Sequence, residues 1–119
     1  MSNSMLQMAS RYAAGGIEDE KDYLLGCIAV RRDGAIVCSR NLRTEQPNPM
    51  VHAEYRVLRK AGWGATLWVA RVTRDNKWAM AKPCKKCQAI IKSKGVQKVY
   101  YTISENEFGV WHPNRKNKQ

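Results

Sequence analysis

His52-Ala53-Glu54 and, 29 residues further on, Pro83-Cys84-Lys85-Lys86-Cys87 supply an imidazole, a carboxylate and two thiols. One neutral imidazole with two thiolates gives Zn²⁺ three ligands and leaves its fourth tetrahedral position open, which separates a catalytic zinc from a closed structural one. Water takes an open position, and activating it needs a group that accepts and returns a proton. Glu54, two residues from His52, is placed to be that group. A structural zinc completed by Cys27, Cys38 or His112 is the competing reading, but a closed site has no use for Glu54 beside His52. The two cysteines alone would say little, since redox sites and zinc knuckles share their spacing.

Both motifs call for helix starts. Val51, Tyr55, Leu58 and Ala61 recur at helical spacing, and Gly62 and Gly64 stop that helix. At 3.6 residues per turn His52 and Glu54 stand about 200° apart around an ideal helix, so both can address one metal only from its first turn. Pro83 suits the start of a second helix, with Cys84 and Cys87 on one face, Ile90 and Ile91 behind them and Gly95 at its end. Two helix N-termini then converge, and their free N–H groups favour thiolate over thiol at both cysteines.

The rest of the chain supplies a sheet and one more helix. Met5, Met8, Ala9, Tyr12 and Ala13 make the apolar face of a short packing helix over residues 5–13, ended by Gly15-Gly16, with residues 1–4 frayed. Residues 23–30 and 35–39 read as strands joined through Arg31-Arg32-Asp33-Gly34, because Asp-Gly between apolar runs marks a hairpin. Residues 41–50, holding Pro47 and Pro49, form the loop that leads to His52. Strands follow at 66–72 and 99–103, with a turn at 74–77. Only residues 104–107 then precede Phe108-Gly109-Val110-Trp111. A parallel crossover needs about a dozen residues, so a fifth strand here runs antiparallel to the fourth. Trp78, in the loop before Pro83, is a candidate for stacking on a base, whereas Trp63, Trp68 and Trp111 read as core or fold-closing residues.

H-x-E followed by P-C-x-x-C is the known signature of zinc-dependent nucleobase deaminases. Through His52, Glu54, Pro83, Cys84 and Cys87, and through the order of elements over residues 23–103, the chain resembles the cytidine deaminase superfamily. The resemblance implies an α/β fold of three α/β/α layers with a mixed five-stranded sheet. It implies Zn²⁺ on His52, Cys84 and Cys87, with Glu54 moving protons from water to the ring nitrogen and then to departing ammonia. It also implies that the backbone N–H of Ala53 contacts the base and that Asn41, after the second strand, holds the sugar. In the branch resembling tRNA adenosine and deoxycytidylate deaminases a helix joins strands four and five. The short link at 104–107 departs from that pattern and sides with the branch resembling free cytidine deaminases, which points to cytosine as the base. His52 pulls the other way, because free cytidine deaminases usually carry cysteine there, and so favours nucleotide or polynucleotide substrates.

Composition sets the outer limits. The 119 residues, 44% hydrophobic, make one domain over residues 1–112, with 113–119 a basic, flexible tail. The longest apolar run, residues 24–30, suits a buried strand and is too short to cross a bilayer, and no signal peptide is visible. A reducing cytoplasm is the expected setting, with Cys27 and Cys38 as small buried core residues. The net charge is +11, and from residue 23 onward 19 Lys or Arg face six Asp or Glu. That surplus attracts phosphorylated molecules and polyanions, although a solvated basic surface would carry the same charge. The expected activity is hydrolytic deamination of cytosine to uracil in a cytidine or deoxycytidine nucleoside or nucleotide. Cytosine in single-stranded DNA or RNA is the alternative substrate, and an inactive zinc-stabilised nucleic-acid-binding module is the alternative of another class. A homo-oligomer is compatible with the residues, which do not fix oligomeric state.

Overall fold

The computed structural model describes residues 2–14, 24–40, 53–73, 75 and 77–113, with residues 2, 3 and 53–55 described in backbone only. Asn41, His52, the loop between them and tail residues 114–119 lie outside the described set, while Pro113 is buried.

The run of apolar residues after residue 23 becomes β1 (Leu24–Val30), with all but its last residue buried. An unbroken apolar strand of this kind fits a sheet covered by helices on both faces. It pairs antiparallel with β2 (Ile36–Arg40) through the Asp33-Gly34 turn, in which the Ala35 N–H donates to Asp33 Oδ1 at 3.0 Å. On its other side β1 pairs antiparallel with β3 (Thr66–Val72). β4 (Trp78–Ala79) is a two-residue strand on the far end of β3. β5 (Lys98–Ser104) joins β3 in parallel, and β6 (Glu107–Trp111) closes the sheet antiparallel to β5. The order is β2-β1-β3-β5-β6, with β4 attached to β3. All five expected strands are present, the last of them antiparallel. β4 makes the sheet six-stranded and falls within the stretch expected to be a loop before Pro83.

Among the described residues three helices flank the sheet: α1 (Ser2–Ala14) on one face, α2 (Ala53–Ala61) and α3 (Lys85–Ser93) on the other. The α2/α3 face holds one continuous cluster, in which Val57, Leu58, Cys87 and Ile91 pack on Leu25, Cys27, Leu67, Val69 and Val99. On the opposite face α1 lies against Ile28 and Ala70, and further along against Leu24 and Val72. Here the buried stripe is Leu6, Ala9, Ser10 and Ala13, while Met8, expected on the apolar face, is 40% exposed. The reason is the close approach at Gly26, where any Cβ would stand 2.8 Å from the Ala13 nitrogen. Small residues, Ala9 and Ala13, must therefore face Gly26, and that rotation leaves Met8 outward and Leu6 inward. The helix also begins at Ser2, earlier than its apolar spacing predicts. Cys27 and Cys38 project from opposite faces, and neither is in a disulfide. Among the described residues no helix is long and apolar enough to cross a membrane.

Candidate functional site

The topology decides where the motif residues fall. β3 and β5 are parallel neighbours, and each is entered directly from the C-terminus of a helix, α2 into β3 and α3 into β5. The two helices therefore run side by side with their N-termini at the same end of the domain. Ala53 and Glu54 are the first two residues of α2, so Glu54 belongs to its first turn, as the angular argument for His52 and Glu54 requires. Cys84 is the N-cap of α3 in an extended conformation, and Cys87 lies one turn on.

The two cysteines stand in different surroundings. Cys84 is exposed, while Cys87 is only 1% exposed, packed in the core cluster with Ile91 and Val57. Neither is in a disulfide. Two cysteines three residues apart at a helix start, neither in a disulfide, are the kind of thiol pair that tetrahedral, sulfur-rich zinc coordination uses. His52 immediately precedes α2 in the sequence and lies outside the described residues.

Side chains that carry no motif hold the segment leading to Cys84. Thr102 on β5 is fully buried; its Oγ1 accepts from the Arg71 N–H at 3.1 Å and donates to the Ala79 carbonyl at 2.7 Å. Its own carbonyl accepts from the Ala81 N–H at 2.9 Å. One hydroxyl-bearing residue thus ties β3, β4 and the approach to Pro83 together. Gln88 then fastens the helix start, its side-chain amide donating to the Pro83 carbonyl at 2.8 Å while its N–H donates to the Cys84 carbonyl at 2.8 Å. Sequence patterning passes over both: Thr102 reads as one more residue of an alternating strand, and Gln88 as an ordinary helical residue.

The charge around the cysteines is one-sided. Lys82, Lys85 and Lys86 are exposed, and the first turn of α3 contains no acid. Cations there oppose the positive end of the helix dipole, which costs stability. On α2 the Arg56 Nε donates to Ser39 Oγ at 3.2 Å, placing a guanidinium beside the end of β2 that leads to Asn41. Trp78 stands elsewhere than its sequence position suggests. It belongs to β4, its indole N–H donates to Ser10 Oγ on α1 at 2.8 Å, and it packs on the Ala13, Leu24 and Val72 cluster. Its place is in the docking of α1 rather than in an open loop.

The domain has three α/β/α layers and paired helix N-termini, with a glutamate in the first turn of one helix and two cysteines at the start of the other. The model of the cytidine and deoxycytidylate deaminase zinc-binding region matches residues 1–103, and the chain belongs to that family. A search of curated proteins finds no match. Among solved structures the chain is similar to cytidine deaminase from Burkholderia pseudomallei, with a TM-score of 0.67 and 21% identity over 95% of this chain and 94% of that one. It is also similar to a mutant cytidine deaminase from Mycobacterium tuberculosis, with a TM-score of 0.58 and 19% identity over 86% and 88% of the two chains. At these identities the likeness is one of fold.

Proposed function

We propose that the chain is a zinc-dependent hydrolytic deaminase that converts cytosine to uracil in a cytidine or deoxycytidine nucleotide or nucleoside. The observation that carries this reading is the placement of Glu54 and the Cys84/Cys87 pair in the first turns of two helices whose N-termini share one end of the sheet. His52, Cys84 and Cys87 would hold Zn²⁺. When bound, the metal acts as a Lewis acid that lowers the pKa of water toward neutrality.

The chain's own groups do the remaining work. Glu54 accepts a proton from the attacking water and passes it to the ring nitrogen, and the carbon bearing the amine gains an oxygen. Glu54 then takes the second proton from the oxygen now on that carbon and delivers it to the amine; the carbon–oxygen double bond forms as the carbon–nitrogen bond breaks, and ammonia leaves, so that cytosine and water become uracil and ammonia. The Ala53 N–H, at the N-terminus of α2, would bond the base, and Asn41, which lies outside the described residues, would hold the sugar. Trp78 is left out of this site because its indole is engaged with Ser10. Lys82, Lys85 and Lys86 favour a substrate with phosphate over a bare nucleoside.

Mass spectrometry of the zinc-loaded protein incubated with cytidine, deoxycytidine, their monophosphates and cytosine-containing single-stranded DNA and RNA tests the reading. Conversion of the monomers is expected, fastest for the monophosphates. Glu54→Gln should keep its zinc and lose activity by at least about a hundredfold. Undiminished turnover in that variant would overturn the mechanism. Conversion of oligonucleotides alone would replace the nucleotide reading with a polynucleotide one.

A further inference from the structure

The end of the domain opposite Cys84 and Glu54 is built from the tip of the β1–β2 hairpin, the C-termini of α2 and α3, and the starts of β3 and β5. Its segments, residues 30–36, 57–66 and 90–98, hold seven Lys or Arg and one acid, Asp33. All seven cations are exposed. The hairpin and the helix ends are tied together: Arg31 Nη1 donates to the Lys60 carbonyl at 3.0 Å, and the Gly64 N–H to the Lys94 carbonyl at 3.4 Å. Gln97 Nε2 donates to the Gly64 carbonyl at 2.9 Å, and Lys98 stands opposite Thr66 where β5 pairs with β3. The stem of Arg32 crosses Gly64, lying where a Cβ would be only 2.9 Å from its Cγ. Asp33 is already engaged with Arg31 at 3.4 Å and offers no charge to the others.

Within this basic surface stands Trp63, 65% exposed, more than any other large apolar side chain among the described residues. It lies between Gly62 and Gly64, both left-handed at φ 73° and 82°. Its indole rests on Gly95, where a Cβ would fall 2.6 Å from Cδ2. The ring is therefore seated against backbone and holds its shape without being buried. Helix-dipole complementarity accounts for Arg59, Lys60 and Lys92, which lie in the last turns of α2 and α3. It accounts for neither Arg32 nor Lys98, which lie outside the helices, and it gives no reason to leave an indole in water.

A planar apolar ring surrounded by unneutralised cations complements a ligand that presents phosphates and free base faces together. We infer that this end of the domain binds single-stranded DNA or RNA, with Trp63 stacking on a base and Arg32, Lys94 and Lys98 engaging the backbone. Duplex is a poor fit, because its bases are already stacked and cannot offer a face to Trp63. A lipid surface is also a poor fit, because insertion calls for a broad apolar face, and here Trp63 and Ile36 are the two large apolar side chains exposed among seven cations. The inference goes beyond the deaminase reading and does not depend on it.

Fluorescence anisotropy with a labelled oligothymidylate tests it, since that strand has no cytosine to occupy the reaction site. The full chain should bind, with the logarithm of the affinity falling against the logarithm of salt by about 0.7 per phosphate engaged. Trp63→Ala should weaken binding about tenfold at an unchanged salt slope, the measured range for losing one stacked base. Trp63→Phe should restore most of the loss. Lys94→Glu with Lys98→Glu should flatten the salt slope, and Glu54→Gln should bind as the unsubstituted chain does. Circular dichroism melting establishes that each variant is folded. Oligothymidylate binding by a folded Trp63→Ala equal to that of the unsubstituted chain would overturn the inference. So would equal affinity for duplex of the same length, or Trp63-dependent binding to phosphatidylserine vesicles without binding to the oligonucleotide. Oligothymidylate binding in a preparation that deaminates nothing would uphold this inference while overturning the reading of the reaction site.

Discussion

The two faces of the sheet are packed in different ways. On the α2/α3 face a single aliphatic cluster joins both helices to three strands, and Cys87 is one of its members. On the α1 face contact is split into two small groups around Ile28 and Leu24, and beyond them Trp68 and Tyr100 stack on each other at 5.4 Å. The first face achieves rigidity by bulk. The second achieves it by closeness, through the backbone approach at Gly26 and the bond from Trp78 to Ser10. Chemistry that needs atoms held within a fraction of an ångström belongs on the first kind of face, because its neighbours cannot move separately.

Substitutions on each face should separate these two modes. Ile91→Ala, on the inner side of α3 beside Cys87, should cost about 2–5 kcal/mol in denaturant unfolding and also lower zinc retention against a chelator. Equal zinc retention would mean that the cysteines are positioned independently of the core behind them. Gly26→Ala, on the α1 face, should cost about 1–3 kcal/mol by pushing α1 off the sheet, with zinc content unchanged. Metal loss in that variant would show the faces to be coupled. Trp78→Phe should have the smallest effect, about 1 kcal/mol for the lost bond to Ser10, with the kinetic constants for any cytosine substrate unaltered. A raised KM would return Trp78 to the substrate site.

The two faces also differ in how far they could be read from the chain. The helices α2 and α3 were legible because apolar residues recur in them at helical spacing and because glycines and Pro83 punctuate them; the chemistry read from His52, Glu54, Cys84 and Cys87 is the proposal that zinc and activity measurements test. The closing antiparallel strand was legible for a geometric reason: four residues leave no other way to turn, and β6 indeed pairs antiparallel with β5. The α1 face was not. Helical spacing puts Met8 on the apolar stripe, whereas the buried stripe runs through Leu6, about 200° away from it, and the rotation between them is set by the lack of a Cβ at Gly26, a residue outside the helix. β4 is two residues long and is anchored through Trp78 to a residue 68 positions earlier, a distance over which no local pattern reports.

Thr102 carries a consequence for the order in which the molecule is made. Its hydroxyl and carbonyl hold Ala79 and Ala81 in place ahead of Pro83 and Cys84, yet it is synthesised after Cys87. A nascent chain that has emerged only as far as α3 therefore contains both thiols and the whole of α2 but lacks the residue that fixes the approach to them. The cysteines reach their final setting only when β5 has inserted beside β3. Cysteine pairing with zinc in a shorter fragment would then be that of a loose chelating peptide, and the rigid site is a property of the chain completed through residue 104.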